Sequence, residues 1–466
     1  MQPYLDVFTR VVDAYLSTPR PVIQTPHINQ LASQLDLELH EKGADLATLE
    51  DCLQAYLQHN PDSSQVGFFK QLYAGRNGPA VIGDWIASLS NVNMHIYQVG
   101  PVATLMEQEV IKQWCTLVGY KQGDGMIVSG GSQANLIAMM LARHKICPTL
   151  KTQGADGRRL RAYVSDQAHY SSQKAANILG LGTDNLIGVA SDDQGRLCPQ
   201  ALSTQIQADL ALGYQPFYLG LTAGTTVTGA FDPVQAGRQI ADQYDLWLHI
   251  DGAWGAPVLF SPQHRHLLQH AELSDSFSWD AHKLMGVPLT AAAILVKQAG
   301  LLPASCAGGG DDYLFHPDQY AHLNLGPASL QCGRRADALK VWLSWKSLGH
   351  QGFAEKVDKL QALKDYCVKR IDTTADLHRL APAPYLNILF QFKPANIDDE
   401  ATLTALNTAI CQTMAHNGGP FVDYASHKGR SGIRLILAND MTAQEDIDHF
   451  LNQCIDTGTA LLTDFI

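Results

Sequence analysis

The pattern of apolar and polar positions divides the chain into a helical N-terminal part and a central part in which strands and helices alternate. Apolar residues recur at helical spacing in two N-terminal stretches, Leu5, Phe8, Val12 and Leu16, then Leu46, Leu49, Leu53 and Leu57. From residue 126 onwards, short β-rich runs alternate with helical stretches. Such alternation predicts an α/β fold with a mostly parallel central sheet covered by helices on both faces.

Six short, β-rich runs in the central part are the predicted strands of this sheet. They span residues 126–128, 161–164, 216–221, 246–250, 277–279 and 291–296. A long helix is predicted around residues 335–348, and the C-terminal part mixes helices with strands at 386–392 and 433–437. We therefore expect a helical N-terminal segment (1–60), a large central domain (61–350) and a small α+β C-terminal domain (351–466).

The composition is that of a folded globular protein, since 46% of the 466 residues are hydrophobic and 17% are charged. The net charge of −12, without a block of lysine and arginine, disfavours nucleic acid or an anionic membrane as partner. No apolar run approaches the roughly 18 residues of a membrane helix, and residues 1–10 lack the features of a secretory signal. Nine scattered cysteines without a CxxC pair are typical of reduced thiols, so we expect a cytoplasmic protein without a metal site.

Candidate chemistry follows the predicted strands, because ligands in open α/β sheets bind beyond the carboxyl ends of the strands. Ser129-Gly130-Gly131-Ser132-Gln133 follows the first strand and leads into a helix. Glycine lets backbone N–H groups approach an anion, and a helix N-terminus favours negative charge, so this segment is a candidate phosphate site. The alternative is that Ser132 is only the N-cap of the helix.

The next three strand ends carry an imidazole, hydroxyl groups and a carboxylate. His169 follows the second strand, where it either stacks on a flat aromatic ring or is an ordinary hydrogen-bonded loop histidine. Thr226 lies after the third strand in a small, hydroxyl-rich turn that a ligand can approach closely. Asp251 ends the fourth strand, and Ala253 is small enough to lie beneath a ring.

A lysine and an aspartate at neighbouring strand ends give the most specific signal. Lys283 follows the fifth strand directly after His282, and Asp251 ends the strand before it. Pyridoxal phosphate (PLP) needs such a pair, because a lysine amine holds its aldehyde as a Schiff base and a carboxylate keeps its pyridine nitrogen protonated. The five consecutive strand ends together predict a PLP site.

The motifs of this chain resemble those of the group II PLP-dependent amino-acid decarboxylases, the family of glutamate, cysteine sulfinate, aspartate and aromatic amino-acid decarboxylases. The resemblance extends from about residue 66 to the C-terminus. It is carried by Phe68-Phe69-Lys70-Gln71-Leu72, Asn91-Val92-Asn93-Met94, Ser129-Gly130-Gly131-Ser132, Asp166-Gln167-Ala168-His169-Tyr170, Ala223-Gly224-Thr225-Thr226, Asp232-Pro233, His249-Ile250-Asp251-Gly252-Ala253-Trp254-Gly255, the segment around Lys283, Tyr313-Leu314-Phe315, and Leu330-Gln331-Cys332-Gly333-Arg334.

The resemblance implies a PLP-dependent transferase-like fold of type I and a role for each residue of the cofactor site. Lys283 is the implied Schiff-base lysine, Asp251 the partner of the pyridine nitrogen, and His169 the residue that stacks on the ring. The other implied cofactor-binding residues are Gly131, Ser132, Asp280 and His282 at the phosphate, Thr226 near the ring hydroxyl, and Ala253 on the second ring face.

The resemblance also implies residues that act on the substrate. Tyr313 matches the tyrosine of a mobile loop that protonates the product, and Arg434 matches the arginine that binds the substrate α-carboxylate. Gln71 and Asn93 match positions that line the substrate pocket. Tyr73 stands where glutamate decarboxylases carry a small hydroxyl residue, which argues against strict glutamate specificity. Asp280 is a second departure, because the family often has asparagine there.

The predicted activity is decarboxylation of an L-amino acid, most consistent with an acidic one such as aspartate, cysteine sulfinate or glutamate. Decarboxylation of a basic or aromatic amino acid, for example 2,4-diaminobutyrate or tyrosine, is an open alternative. Other open alternatives are an aminotransferase or a carbon–carbon lyase of the same fold, and a binding protein that has lost activity. The resemblance also implies a homodimer whose active sites use both chains.

Overall fold

The computed structural model describes residues 1–24, 28–35, 37–154, 157–309 and 313–465, which fold into two compact units. The larger unit comprises Arg76–Val368 and Ala381–Leu389. The smaller unit comprises Met1–Gly75, Lys369–Leu380 and Phe390–Ile466, so it unites the N-terminal and C-terminal parts of the chain. The division into 1–60, 61–350 and 351–466, which follows the order of the sequence, stays a prediction.

A seven-stranded sheet is the centre of the larger unit. Its strands are β1 (Asp124–Val128), β2 (Leu160–Ser165), β3 (Leu186–Val189), β4 (Gln215–Thr222), β5 (Trp247–Asp251), β6 (Ser276–Asp280) and β7 (Ala292–Val296), in the order β1-β7-β6-β5-β4-β2-β3. Strand β7 is antiparallel to both of its neighbours, and the pairings between the other strands are parallel. The predicted mostly parallel sheet is therefore confirmed, and β3 is the strand that the sequence pattern missed.

The described residues contain fourteen α-helices. They are α1 (Gln2–Ser17), α2 (Ile28–Gln34), α3 (Leu46–His59), α4 (Gly78–Ser90), α5 (Pro101–Val118), α6 (Gly131–Ile146), α7 (Leu150–Gln153), α8 (Ser171–Ile178), α9 (Pro199–Ala211), α10 (Val234–Tyr244), α11 (Leu301–Cys306), α12 (Ala338–Asp372), α13 (Glu400–His416) and α14 (Gln444–Leu461). Helix α12 is interrupted at Gly349, whose φ of 64° lies outside the helical range. Among the described residues, none of the helices combines the length and the apolar character of a membrane span.

Helix α6 packs tightly on the central sheet because its inner face is built from small and apolar residues. Ala134, Ile137 and Ala138 are fully buried against apolar residues of the strands, such as Met126 and Ile294. Small side chains let the helix axis approach the sheet, and burial of each larger apolar side chain stabilises the fold by about 1.5–3 kcal/mol. This packing fixes the first turn of α6, which carries the predicted phosphate-binding residues.

A four-stranded sheet lies in the C-terminal part of the chain, with the strand order β10-β11-β9-β8. Its strands are β8 (Leu377–Arg379), β9 (Asn387–Phe392), β10 (Asp423–His427) and β11 (Arg430–Ile436), and each neighbouring pair that is described in register is antiparallel. Helices α13 and α14 accompany it in the smaller unit. The prediction of a small α+β arrangement at the C-terminus is confirmed, although β8 and β10 were missed.

Candidate active site

Parallel strands bring the chemistry of the larger unit to one edge of its sheet. Strands β1, β2, β4, β5 and β6 all run in the same direction, because β7 is antiparallel to both β1 and β6. The residues that follow these strands therefore lie at a common edge, which is where ligands of open α/β sheets bind.

Lys283 lies in a turn that continues directly from β6, and its ammonium group faces Asp280. Its Nζ is 3.2 Å from Asp280 Oδ2, and 21% of the Lys283 side chain is exposed. Asp280 is only 2% exposed, and its second carboxylate oxygen, Oδ1, has no hydrogen-bond partner. The lysine is thus held by a buried negative charge while its amine stays accessible to a carbonyl compound.

Gly131 lies where the start of α6 meets the end of β6. A Cβ atom at this position would lie 2.8 Å from Asp280 Oδ2 and 3.3 Å from Ala253 Cβ, so only glycine fits without rearrangement. The N-cap of α6 is Gly130 and not Ser132, which is exposed in the first turn. The alternative that Ser132 is merely an N-cap is therefore wrong.

His282 is buried beside the same carboxylate. Its Nε2 is 3.5 Å from Asp280 Oδ2, and its Nδ1 lies 3.0 Å from the carbonyl oxygen and 3.1 Å from the backbone nitrogen of Ala291. Burial lowers the pKa of His282, although the charge of Asp280 opposes the shift. Asp280 is therefore surrounded by Lys283, His282 and the start of α6. Its predicted contact with a phosphate stays a prediction.

Asp251 ends β5 with both carboxylate oxygens hydrogen-bonded. Asn135 Nδ2 donates to Oδ2 at 2.7 Å, while Ser278 Oγ (3.0 Å) and the Ala253 backbone N–H (3.1 Å) donate to Oδ1. Burial alone would raise the pKa of Asp251, but the Lys283 charge and these hydrogen bonds outweigh it, so the pKa is below its usual value. Asp251 is thus a carboxylate at neutral pH, which is the form that stabilises a protonated pyridine nitrogen.

His169 is partly buried at the end of β2 and belongs to the same group of interacting residues. Its Nδ1 is 2.9 Å from Ser171 Oγ. Burial is the main cause that lowers its pKa, with the Lys283 charge acting in the same direction and Asp251 opposing it. The imidazole is therefore neutral at pH 7. The structure shows that His169 is hydrogen-bonded, and this is compatible with its predicted stacking on a ring.

Thr226 and Asn93 also lie in the larger unit, and each takes part in a hydrogen bond between a side chain and a backbone group. The Thr226 carbonyl accepts a hydrogen bond from Asn387 Nδ2 at 2.9 Å. Asn93 Oδ1 accepts one at 2.9 Å from the backbone N–H of Arg334. These contacts fix the local backbone, and neither residue is linked by them to Lys283.

The other predicted substrate residues belong to the smaller unit. Arg434 lies in β11, where Nη2 donates to the Lys70 carbonyl at 2.8 Å and is 3.7 Å from Asp423 Oδ2. Its buried Nε has no hydrogen-bond partner. Gln71 directly follows Lys70, and the ring of Tyr73 lies 6.0 Å from that of Phe68. The smaller unit therefore places the segment of Gln71 beside Arg434.

Tyr313 is not brought to Lys283 by any contact among the described residues. Its side chain is 74% exposed, and it lines a surface cavity together with His95, Phe315 and Cys332. Within the single chain, Tyr313 is therefore a surface residue. The structure of the single chain thus leaves the predicted catalytic role of Tyr313 as a prediction.

Several polar residues of the site escaped the sequence analysis, above all Asn135, His249 and Ser278. Asn135 is only 3% exposed on the inner face of α6, and His249 is 1% exposed within β5. A polar residue on an apolar helix face or within a buried strand requires hydrogen-bond partners. That mismatch between polarity and expected burial was the available signal.

The groups assembled around Lys283 fit PLP by their chemistry. They supply an accessible amine, an ionised carboxylate, a neutral imidazole and a close approach at Gly131 where a side chain would not fit. Among the described residues, no group of three or more histidine, cysteine, aspartate or glutamate side chains is arranged to hold a metal ion.

Comparisons with known proteins identify the family of this chain. The model of the pyridoxal-dependent decarboxylase conserved domain matches residues 29–393. Mouse cysteine sulfinic acid decarboxylase is 35% identical over 96% of this chain and 94% of its own length, and human acidic amino acid decarboxylase GADL1 is 34% identical over 91% and 84%. The crystal structure of mouse CSAD superposes with a TM-score of 0.94 at 33% identity, covering 98% of both chains. The chain therefore belongs to the family of pyridoxal-dependent amino-acid decarboxylases.

Proposed function

We propose that this chain removes the α-carboxylate of an acidic L-amino acid as carbon dioxide, with PLP as cofactor. The observation that carries this proposal is the similarity over nearly the whole chain to cysteine sulfinic acid decarboxylase and acidic amino acid decarboxylase, combined with an intact group of Lys283, Asp251 and His169. The substrate class proposed is aspartate, cysteine sulfinate or glutamate. A basic or aromatic substrate is the alternative that the experiment below distinguishes.

The residues of the larger unit would hold the cofactor and set its charge. When bound, PLP supplies an aldehyde for the substrate amine and a cationic ring that accepts the electrons released with carbon dioxide. Lys283 would anchor it, and the ionised Asp251 would stabilise a proton on the ring nitrogen. Further residues proposed to bind it are His169 and Ala253 on the two ring faces, Thr226 at the ring hydroxyl, and Gly131, Ser132, Asp280 and His282 at the phosphate.

Arg434 and its neighbours would orient the substrate. The Arg434 side chain is 12% exposed, and a guanidinium binds a carboxylate through charge-assisted hydrogen bonds. Gln71 and Asn93 are polar groups suited to an acidic side chain. Tyr73, larger than the hydroxyl residue of glutamate decarboxylases, would favour a shorter substrate.

Tyr313 is proposed to protonate the α-carbon of the product. Replacing Tyr313 by phenylalanine removes the phenolic proton and keeps the ring, so we expect less amine per carbon dioxide released and more aldehyde, with the amino group of the substrate left on the cofactor. Measurement of amine, aldehyde and carbon dioxide in one reaction tests the role. An unchanged ratio of amine to carbon dioxide in Tyr313→Phe would contradict it.

We further propose a cytoplasmic homodimer with active sites that use both chains. The nine cysteines are scattered along the sequence without a CxxC pair, a pattern in keeping with a reducing compartment. Large apolar side chains on α4 and α5 are 46–68% exposed, among them Ile82, Ile86, Leu89, Val102 and Leu105. An exposed apolar surface of this kind marks a protein interface, and a second copy of the chain is the proposed partner.

The proposed reaction is tested by carbon dioxide release from purified protein with added PLP and a panel of amino acids. The panel contains aspartate, cysteine sulfinate, glutamate, 2,4-diaminobutyrate, lysine, tyrosine and tryptophan. Release from an acidic member alone is the expected result. Release only from a basic or aromatic member would overturn the substrate class, and formation of a keto acid without carbon dioxide would overturn the reaction.

A further inference from the structure

Asn135 is a buried junction between three polar groups of the larger unit. Its Nδ2 donates to Asp251 Oδ2 at 2.7 Å and to Ser171 Oγ at 2.9 Å, and its Oδ1 lies 2.9 Å from His249 Nε2. Asn135 is 3% exposed, so bulk solvent does not compete for these hydrogen bonds. One amide group on α6 thus contacts two residues of β5 and the first residue of α8.

The orientation of the Asn135 amide follows from the chemistry of Asp251. An ionised carboxylate only accepts hydrogen bonds, so the nitrogen of the amide must face Asp251. The second hydrogen on that nitrogen is directed to Ser171, and the amide oxygen is left facing His249. A flipped amide would place its oxygen against the carboxylate and its nitrogen against His249, which loses the charge-assisted hydrogen bond.

This orientation determines the tautomer of His249. Because Asn135 Oδ1 is an acceptor, His249 Nε2 must carry the hydrogen. His249 Nδ1 then accepts from Ser276 Oγ at 2.9 Å, and Ser276 Oγ accepts from Trp247 Nε1, a group that only donates, at 2.8 Å. Burial lowers the pKa of His249 to about 4, so the ring is neutral and can hold a single tautomer at pH 7.

The second branch from Asn135 determines the tautomer of His169. Ser171 Oγ accepts from Asn135 and therefore has its own hydrogen free to donate to His169 Nδ1 at 2.9 Å. The backbone N–H of Ser171 also faces this nitrogen at 3.3 Å. His169 Nδ1 is thus an acceptor, and the hydrogen of its neutral ring lies on Nε2.

We propose that Asn135 is a positioning residue that couples Asp251 to both histidines. The hydrogen bonds form one run in which each group donates to the next, from Trp247 through Ser276, His249, Asn135 and Ser171 to His169. At the centre of this run, Asn135 fixes both histidines in the Nε2–H tautomer and orients the Asp251 carboxylate. The consequence for the cofactor rests on the proposed function: His169 would present a ring of fixed plane and charge, and Asp251 an oxygen already aligned for the pyridine nitrogen. The hydrogen-bond pattern itself belongs to the protein alone.

The test is nitrogen NMR of ¹⁵N-histidine-labelled protein without added PLP, from pH 7 to 8, in the unaltered chain and in Asn135→Leu. The His169 and His249 signals are assigned by their loss in His169→Gln and His249→Gln. We expect both residues of the unaltered chain to show the Nε2–H pattern throughout this range. In Asn135→Leu we expect His169 to become a mixture of tautomers and the dissociation constant for PLP to rise about tenfold, the effect expected when one hydrogen bond to a charged group is lost.

Two further variants keep the test decisive if Asn135→Leu fails to fold. His249→Leu leaves Asn135 in place but removes its anchor, so it should disturb the His169 tautomer from a distance, whereas His249→Gln, which can still donate to Asn135 Oδ1, should restore it. Ser278→Ala is the matched control, because it removes a hydrogen bond to Asp251 that lies outside the run of bonds. It should leave His169 in the Nε2–H form.

Two outcomes would overturn the proposal. One is an Nδ1–H form or a mixture of tautomers at His169 in the unaltered chain. The other is a His169 signal that Asn135→Leu and His249→Leu leave unchanged. Because the NMR readout is made without cofactor or substrate, failure of the proposed decarboxylation would not alter it, and the two failures are distinguishable.

Discussion

Replacement of Lys283 by alanine is expected to abolish covalent capture of PLP and to lower carbon dioxide release roughly 1,000-fold or more. The physical reason is that Lys283 supplies the amine of this site that is both accessible and held in place, with its Nζ 3.2 Å from a buried carboxylate of Asp280. Borohydride reduction followed by peptide mass spectrometry measures the covalent attachment. The rate of carbon dioxide release measures the second effect.

A charge-preserving variant separates the loss of the amine from the loss of its charge. Lys283→Arg keeps a cation beside Asp280 but offers no amine for the aldehyde, so it should also lack the covalent attachment while retaining the stability of the unaltered chain. Lys145→Ala is the control, because this exposed lysine in the last turn of α6 lies with its Nζ 3.3 Å from Asp245 Oδ1 and should affect neither readout. Modification of another lysine in Lys283→Ala at the original yield would contradict the assignment.

The grouping of Asp251 and Lys283 at one edge of the sheet was predictable from the sequence because a general rule connects strand order to the position of strand ends. Once Asp251 and Lys283 are recognised as residues at the ends of neighbouring strands, the carboxyl edge of a parallel sheet brings them together. Gly131, at the start of α6, lies close to Asp280 and Ala253, so the same rule also applies to the helix that follows β1. Local sequence patterns were therefore sufficient to predict which residues meet at the edge of the sheet, because the ends of the strands determine their positions.

The arrangement of the strands themselves was not accessible to the same patterns. Strand β7 lies between β1 and β6 and is antiparallel to both, although its apolar run resembles those of the parallel strands. Its direction depends on pairings between residues far apart in the sequence, such as Met126 with Ile294. Hydrophobic periodicity reports which face of an element is buried and carries no information about such partners.

The hydrogen bonds behind the site also lay beyond sequence reasoning. Asn135 is a polar residue among the alanines of α6, and helical periodicity predicts its burial without identifying Asp251, Ser171 and His249 as its partners. Tyr313 illustrates the opposite limit. The role of Tyr313 was inferred from a motif. Because its side chain is exposed in the single chain, its contacts in this structure do not test that role.

The largest expected loss of stability comes from breaking the buried ion pair of Arg334 and Glu107. Arg334 is 4% and Glu107 2% exposed, with Arg334 Nη2 2.5 Å from Glu107 Oε1. The same guanidinium donates to the carbonyl oxygens of Met94 at 3.2 Å and Ile127 at 3.1 Å, and Glu107 accepts from the Ile127 N–H at 3.0 Å. The pair thus joins α5, β1 and the segment before α12.

Removal of one charge from this pair leaves the other charge buried without compensation. We therefore expect Glu107→Gln and Arg334→Met each to lower the free energy of unfolding by about 3–5 kcal/mol, measured by urea denaturation. The control is Asp398→Asn, because Asp398 is 89% exposed on its side chain and pairs with Lys393 at 2.9 Å. A surface pair of this kind contributes about 0–1 kcal/mol.

The double variant distinguishes the cost of an unpaired charge from the value of the pair itself. If burial of a lone charge dominates, Glu107→Gln combined with Arg334→Met removes both charges and should recover a large part of the stability lost in Arg334→Met alone. If the double variant is as unstable as the sum of the single ones, the hydrogen bonds to Met94 and Ile127 carry the stability instead. The second result would make Arg334 a backbone clamp that stabilises β1 mainly through its carbonyl contacts, with Glu107 in a subordinate role.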